Sequence, residues 1–404
     1  MSGDFPLARK YSGLRRDTLG RDALAGCDPD VADISARLRE AYAAHQRKQS
    51  TAYGYTGPIS GTRLNMDEAS ILYHKADLFT LGALAHQARQ ALYPGTIVTY
   101  VADRNINYSN ICVCACRFCA FFRSPGHAEG YVLSRKELDR KIRETLTLGG
   151  TQILLQGGHH PDLPLFFYED MIAWIRATYP SIHIHAFSPP EIVFFAEKER
   201  LAIEDVLARL VRAGLHSIPG GGAEILADRV RTQVSPNKCS TKMWLEVMEK
   251  AHVLGLKTTA TMMFGHEEED FERLIHLSAV RDLQDRTNGF TAFIPWTFQP
   301  AHTNIACTPE SPQGYLRVLA LARLVLDNVP SIQASWVTMG PQIAQLALFY
   351  GANDFGSLMI EENVVAAAGA SFQLSREQIH AVIRTAGFEP KQCSMDYRLL
   401  EKNP

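Results

Sequence analysis

Four of the chain's eight cysteines fall within eight residues, in the segment Cys112-Val-Cys114-Ala-Cys116-Arg-Phe-Cys119. The others, Cys27, Cys239, Cys307 and Cys393, stand alone and read as small buried side chains. A disulfide framework scatters cysteines through a short secreted chain, whereas clustering in a chain of 404 residues points to metal or redox chemistry. Cys112, Cys116 and Cys119 make a CxxxCxxC pattern. Three thiolates on one loop hold three irons of a 4Fe–4S cubane and leave the fourth iron free of protein ligands. Two alternatives recruit Cys114: a zinc site, or a fully ligated electron-transfer cluster. Zinc sites favour CxxC pairs from two loops, but Cys112, Cys114 and Cys116 alternate at a spacing of two. Cys114 is therefore read as a bystander.

Further candidates follow along the chain. Gly157 and Gly158, in Gln156-Gly-Gly-His159-His160, allow close backbone approach to a ligand. Ser188 and Glu191 follow an apolar run, and Glu224 ends the segment Pro219-Gly-Gly-Gly-Ala-Glu224. A carboxylate there accepts two hydroxyl protons well. No Lys-Ser/Thr follows Gly220–Gly222, which excludes a nucleotide P-loop.

The elements that must position these residues alternate. Strand signals fall at Ile97–Ala102, Gln152–Gln156, Ile182–Phe187, Leu215–Ile218, Lys257–Met263, Gly289–Pro295 and Ile332–Trp336. Helical periodicity fills the gaps at Arg135–Leu148, Tyr168–Tyr179, Ile203–Ala213, Thr241–Leu254, Phe271–Arg286 and Gln313–Asp327. This predicts an α/β fold, a (β/α) barrel of TIM type, complete or nearly so. An eighth strand is sought near Leu346–Gly351 or Ser357–Ile360. The cysteine loop would follow strand one, Gly157–His160 strand two, Ser188–Glu191 strand three, Glu224 strand four and Gly265–Glu268 strand five. That is the catalytic face of such a barrel. Residues 1–94 read as an N-terminal helical segment packing on the barrel, with a helix starting after Asn65. Residues 95–370 read as the barrel, and 371–404 as a C-terminal extension with a helix at Arg376–Thr385.

The formal net charge of −2 argues against a general nucleic-acid or membrane-surface binder. There is no apolar run of membrane-spanning length and no secretory leader pattern, so the expected location is the cytoplasm.

The cysteine pattern, with Phe118 before its last cysteine, resembles that of the radical S-adenosylmethionine superfamily. The resemblance extends over residues 60–390. It includes Asp103–Cys112, Gly150–Gly158, His183–Glu191, Pro219–Glu224, Phe293-Ile-Pro-Trp296, Gly351-Ala-Asn-Asp354 and Met359–Asn363. These resemble the futalosine-pathway enzymes of menaquinone biosynthesis, closest to the cyclic dehypoxanthinyl futalosine synthase family. Aminofutalosine synthases share much of the pattern, and deazaflavin-cofactor synthases, which take tyrosine, are more distant. The resemblance implies a 4Fe–4S cluster on Cys112, Cys116 and Cys119, with S-adenosylmethionine chelated at the open iron. It implies cofactor contacts from Phe118, Gly157, Gly158, Ser188, Glu224, Lys238, Met263 and Gly265. The implied substrate is dehypoxanthine futalosine, and the implied path is loss of the ribose C4′ hydrogen followed by closure onto the benzoate ring. His159, His185, Glu191 and Glu361 are candidates for acid–base work, with His160 as a further one, and Arg104 and Arg123 for the benzoate. An electron donor such as flavodoxin or ferredoxin is implied as partner, and assembly is open between monomer and homodimer. The alternative of another class is a scaffold that binds zinc or an iron–sulfur cluster without catalysis.

Overall fold

The computed structural model describes residues 28–47, 54–370 and 372–400. Cys27 and residues 1–26 of the expected N-terminal segment lie outside these. The chain opens with helices α1 (Pro29–Gln46), α2 (Met66–Lys75) and α3 (Leu78–Leu92). Helix α2 starts where Asn65 predicts: Asn65 Oδ1 accepts the Glu68 N–H at 2.8 Å, and Glu68 returns a bond to the Asn65 N–H at 2.9 Å.

Strand β1 (Ile97–Val101) follows, then β2 (Asp103–Asn107), helix α4 (Arg135–Thr147), β3 (Gln152–Gln156), α5 (Leu165–Thr178), β4 (His183–Ala186), α6 (Pro189–Glu199) and α7 (Ile203–Ala213). Next come β5 (Ser217–Ile218), α8 (Asp228–Val234), α9 (Thr241–Val253), β6 (Lys257–Phe264), α10 (Asp270–Thr287), β7 (Phe290–Thr297), α11 (Pro312–Val325) and β8 (Ser331–Ile332). Strands β2 to β8 form one seven-stranded sheet in sequential order, every neighbouring pair parallel. The helices bury apolar stripes, such as Val206, Leu207 and Leu210 of α7. Helix α1 contacts both α2 and α3, and α2 and α3 pack on α11.

Three expectations are corrected. The apolar run at Ile97 is a strand, but not a barrel strand. It sits in a separate parallel sheet between β10 (Glu389–Gln392) and β9 (Asp354–Ser357). The first barrel strand is the polar run Asp103-Arg-Asn-Ile-Asn107, whose composition has little strand propensity. Its odd positions face the barrel interior, where polar groups are wanted. No eighth strand joins the sheet among the described residues. Segment 354–361 instead bridges the open side. Gln333 pairs with Asp354 at the β8 edge, and Leu358 N, Ile360 N and Glu361 O bond the backbone of Val101, Asp103 and Asn105 at the β2 edge. Positive φ at Gly356 (82°) accompanies a register shift in β9, and positive φ at Met359 (48°) stops the extended run from continuing along β2. Trp336 likewise opens a helical turn instead of ending β8.

The Gly351–Asp354 motif is part of this framework. Buried Arg323 donates to the Gly351 carbonyl at 2.9 Å and to Asn353 Oδ1, which also receives the Ile332 N–H. Gly351 has φ 103°, and a Cβ there would stand 2.7 Å from Arg323 Cβ.

Candidate active site

A cavity of about 380 Å³ opens at the C-terminal ends of the barrel strands and runs down the interior. Cys112, Cys116 and Cys119 line it, and Cys114 does not. The loop after β2 is held in this shape by its backbone. Cys112 N donates to Arg123 O, Val113 N to His159 O, and Cys119 N to Cys116 O. Ala115 takes φ 47°, the left-handed turn that swings the cysteines on either side of it apart. Cys114 is buried, its Sγ 3.0 Å from His159 Nδ1 and 3.4 Å from the Asn237 carbonyl. The Cys112 thiol is pulled down to about 6 by hydrogen bonds from Cys114, against burial. The Cys114 thiol is driven up by the same contact and by burial. Burial also raises Cys116, to about 12, and Cys119.

Gly157 and Gly158 line the cavity at the end of β3, and their missing side chains make room for the protein itself. A Cβ on Gly157 would lie 2.4 Å from the Tyr108 ring, and one on Gly158 2.1 Å from the Ile111 carbonyl oxygen. Glu224 and Lys238 form a buried pair at 2.8 Å, with Lys238 Nζ 5.0 Å above the Phe118 ring centroid. Burial pulls the Lys238 ammonium down, but Cys116 and Glu224 outweigh it and hold its pKa well above the ordinary value. Glu224 Oε2 has no protein partner although it is buried. A buried carboxylate oxygen is costly unless a donor meets it. Three thiols, an orphaned acceptor and an ammonium around one cavity therefore fit a cluster plus a zwitterionic, hydroxyl-bearing co-substrate. Among the described residues no three His, Cys, Asp or Glu converge as a single-ion site.

Glu191 is fully committed. Oε1 receives Tyr108 OH at 2.7 Å and Gly157 N–H at 3.1 Å, while Oε2 receives Ser188 N–H at 2.7 Å and Ser188 Oγ–H at 2.6 Å. It caps α6 and ties down the Gly157 loop. Burial raises its pKa against these bonds. His159 lies on the Phe194 ring at 4.8 Å, and burial with nearby Lys238 lowers its pKa to about 3. His185 lines the mid-cavity wall, with Nδ1 2.7 Å from Ser217 Oγ.

Several expected residues lie elsewhere. Met263 is buried in the core with its N–H on the Glu224 carbonyl, and Gly265 forms a turn, φ 90°, held by Glu268 at 2.6 Å. Glu361 binds Lys141 at 2.5 Å and approaches Arg104 at 3.6 Å. Arg104 points out of the sheet to Glu144, and Arg123 pairs with Glu129. His160 Nδ1 accepts the Asp162 N–H. None of these six lines the cavity. The residues that sequence reasoning missed are Asn105, Asn107, Gln152, Gln156, Trp336 and Glu362, all on the wall. For Asn105, Asn107, Gln152 and Gln156 the signal was polar residues at even spacing in short strands, the period of one strand face.

The fold and this site define a radical S-adenosylmethionine protein: residues 106–278 match the Radical SAM superfamily, which in general uses S-adenosylmethionine and a 4Fe–4S cluster. Residues 287–403 match the CofH/MqnC C-terminal region, and the chain belongs to the radical SAM family that carries it. It is 46% identical to a cyclic dehypoxanthine futalosine synthase of Halalkalibacterium halodurans, across 85% of this chain and 93% of that protein. It is 40% identical to a 5-amino-6-(D-ribitylamino)uracil–L-tyrosine 4-hydroxyphenyl transferase of Methanocaldococcus jannaschii, across 76% and 89%. The crystal structure of methylornithine synthase superposes with TM-score 0.63 at 17% identity, covering 88% of this chain and 97% of that one, which shows the fold. Among the described residues, no helix is long and apolar enough to cross a membrane.

Proposed function

We propose that this protein is a radical S-adenosylmethionine cyclase that converts dehypoxanthine futalosine to cyclic dehypoxanthine futalosine in menaquinone biosynthesis. The observation that carries the substrate is the 46% identity to a synthase of that name over nearly the whole of both chains. The observation that supports the chemistry is the convergence of Cys112, Cys116 and Cys119 on one deep cavity. Cys112, Cys116 and Cys119 would hold the cluster. When bound, the reduced cluster and S-adenosylmethionine supply a 5′-deoxyadenosyl radical. The Gly157–Gly158 backbone and Lys238 would receive the methionine amino and carboxylate groups, and Glu224 Oε2 the ribose hydroxyls. Phe118 and Ser188 complete that wall. A low-potential flavodoxin or ferredoxin would supply the electron.

The substrate then loses its ribose C4′ hydrogen, C4′ joins the benzoate ring, and the ring sheds a proton and an electron. The chain must hold ring and sugar in contact and keep other hydrogen donors out. Of the four acid–base candidates, Glu191 is saturated with donors, His159 is engaged by Cys114, and Glu361 is off the cavity. His159 and His185 both line the cavity and each commits Nδ1, to Cys114 Sγ and to Ser217 Oγ; His185 stands on a barrel strand away from the cysteine loop and is taken as the proton acceptor.

The 40% relatives favour a second reading, transfer from tyrosine to 5-amino-6-(D-ribitylamino)uracil. The test is anaerobic incubation of the reconstituted enzyme with S-adenosylmethionine, a reductant and each substrate set, read by mass spectrometry. The cyclase reading expects 5′-deoxyadenosine with a product short of two hydrogen atoms. A hydroxyphenyl adduct, an adenosyl adduct of an enol-ether benzoate, or no cleavage of S-adenosylmethionine overturns it.

A further inference from the structure

On β4, His183 and His185 are two residues apart and so share one face of the strand. Ser217, on the neighbouring β5, is directly opposite His185 in register. Its hydroxyl lies between the two imidazoles, 2.7 Å from His185 Nδ1 and 2.7 Å from His183 Nε2. His185 is buried on the cavity wall, Ser217 is buried behind it, and His183 is half-exposed beyond. His183 stacks on His216, ring centroids 5.0 Å apart, and feels the charge of exposed Asp396. Besides Ser217, whose hydroxyl and backbone both bond the ring, no side chain among the described residues bonds the His185 imidazole.

A hydroxyl has one hydrogen to donate. With two imidazoles at hydrogen-bond distance, it donates to one and accepts from the other. The arrangement is thus a three-member chain with a defined direction, from the cavity wall toward solvent. We propose that His185, Ser217 and His183 form a proton exit for the cyclisation, with His185 Nε2 taking the proton lost by the benzoate ring. This rests on the cyclase reading above.

The balance is complete. After C4′ has joined the ring, the C–H bond at the attacked carbon breaks and its proton forms an N–H bond at His185 Nε2. The electron pair stays in the ring, and one electron leaves to an oxidised iron–sulfur centre, which restores aromaticity. The Nδ1 proton of His185 passes to Ser217 Oγ, the hydroxyl's own proton to His183 Nε2, and the Nδ1 proton of His183 to water. Burial disfavours imidazolium at both rings, lowering His185 to about 3 and His183 to about 4, so the charge does not rest on either. His185 touches the substrate and is the catalytic residue; Ser217 and His183 act through it as positioning residues.

The test uses reconstituted holoenzyme with dehypoxanthine futalosine and compares Ser217→Ala, Ser217→Thr and His183→Gln with the unaltered chain. The readout is cyclised product formed per 5′-deoxyadenosine released. Proton transfer by a positioned group is worth roughly 10²–10⁴-fold. A broken relay that leaves His185 in place is expected to lower the ratio about tenfold in Ser217→Ala and His183→Gln, while Ser217→Thr keeps it. An unchanged ratio in Ser217→Ala overturns the relay, as does an equal fall in Ser217→Thr, which would mark a packing role. If the unaltered enzyme forms 5′-deoxyadenosine but no cyclised product, the cyclase reading fails, and the relay with it.

Discussion

Replacing Gly158 by alanine tests how the cysteine loop is held. The added Cβ would stand 2.1 Å from the Ile111 carbonyl oxygen, 2.6 Å from its carbon and 2.9 Å from Cys112 Cβ. Ordinary contact begins near 3.4 Å, so the loop must retreat by about 1 Å. The obstructing atoms are backbone, directly before a proposed cluster ligand, and Gly158 N–H is itself bonded to Ser109 O at 2.9 Å. Neither side can yield by turning a side chain. Overpacking of this kind costs roughly 1–3 kcal/mol, and a misplacement of about 1 Å can cost about a hundredfold in rate. Iron and acid-labile sulfide should be measured after anaerobic reconstitution, beside thermal unfolding and 5′-deoxyadenosine formation. Gly158→Ala is expected to stay folded, to bind substoichiometric iron, and to lose about a hundredfold in 5′-deoxyadenosine formation. Full iron and sulfide loading with normal turnover would refute the reasoning, because Cys112 could not then depend on this contact.

Three further outcomes follow from the same geometry. Cys114→Ala is expected to keep its iron and sulfide, since that thiol is turned to His159 and Asn237, whereas Cys116→Ala is expected to lose them; iron assay of both decides. Glu191→Gln places an NH2 against either the Gly157 or the Ser188 backbone N–H, an orphaned donor worth about 1–3 kcal/mol. With an unfolding entropy of about 2.1 cal/mol/K per residue over 404 residues, a loss of about 2 kcal/mol lowers Tm by roughly 2–3 °C, readable by calorimetry. Asp354 is raised from 3.8 to about 7 by burial, so its neutral form is the one the fold prefers. Its contribution to stability is therefore present below pH 3.8 and lost as pH rises through about 7. Asp354→Asn, whose Oδ1 can still accept from Gly356 N–H and whose NH2 can donate to Thr99 Oγ1 in place of the bond Thr99 gives Asp354, is expected to flatten that fall in a Tm series from pH 4 to 8.

The cluster loop and the alternation of strands and helices were legible because spacing and periodicity are local properties. The order of the barrel was less so. Ile97–Val101 looks like a first strand because it is apolar and β-branched, yet that composition suits a small sheet buried on both faces. Asp103–Asn107 does not look like a strand because its inward side chains, Asp103, Asn105 and Asn107, line the cavity instead of a core. The same inversion hid Gln152 and Gln156. Glu361 and Glu362 could not be told apart in sequence; the left-handed turn at Met359 sends the first to Lys141 and the second to the cavity. Met263 fell one layer outside the site because β6 buries it in the core, and Gly265 because it forms the turn after that strand. Glu191 was legible as important, and Ser188-Pro-Pro-Glu191 carries the local spacing of a capping box; its bonds to Tyr108 and Gly157 were not legible, because those residues come from distant loops.

The most direct measurement of the central claim is deuterium transfer. Dehypoxanthine futalosine labelled with deuterium at ribose C4′ is turned over once by the reduced, reconstituted enzyme with unlabelled S-adenosylmethionine. The account predicts 5′-deoxyadenosine carrying one deuterium and a cyclised product carrying none at that carbon. Unlabelled 5′-deoxyadenosine beside a product that keeps its deuterium would contradict it.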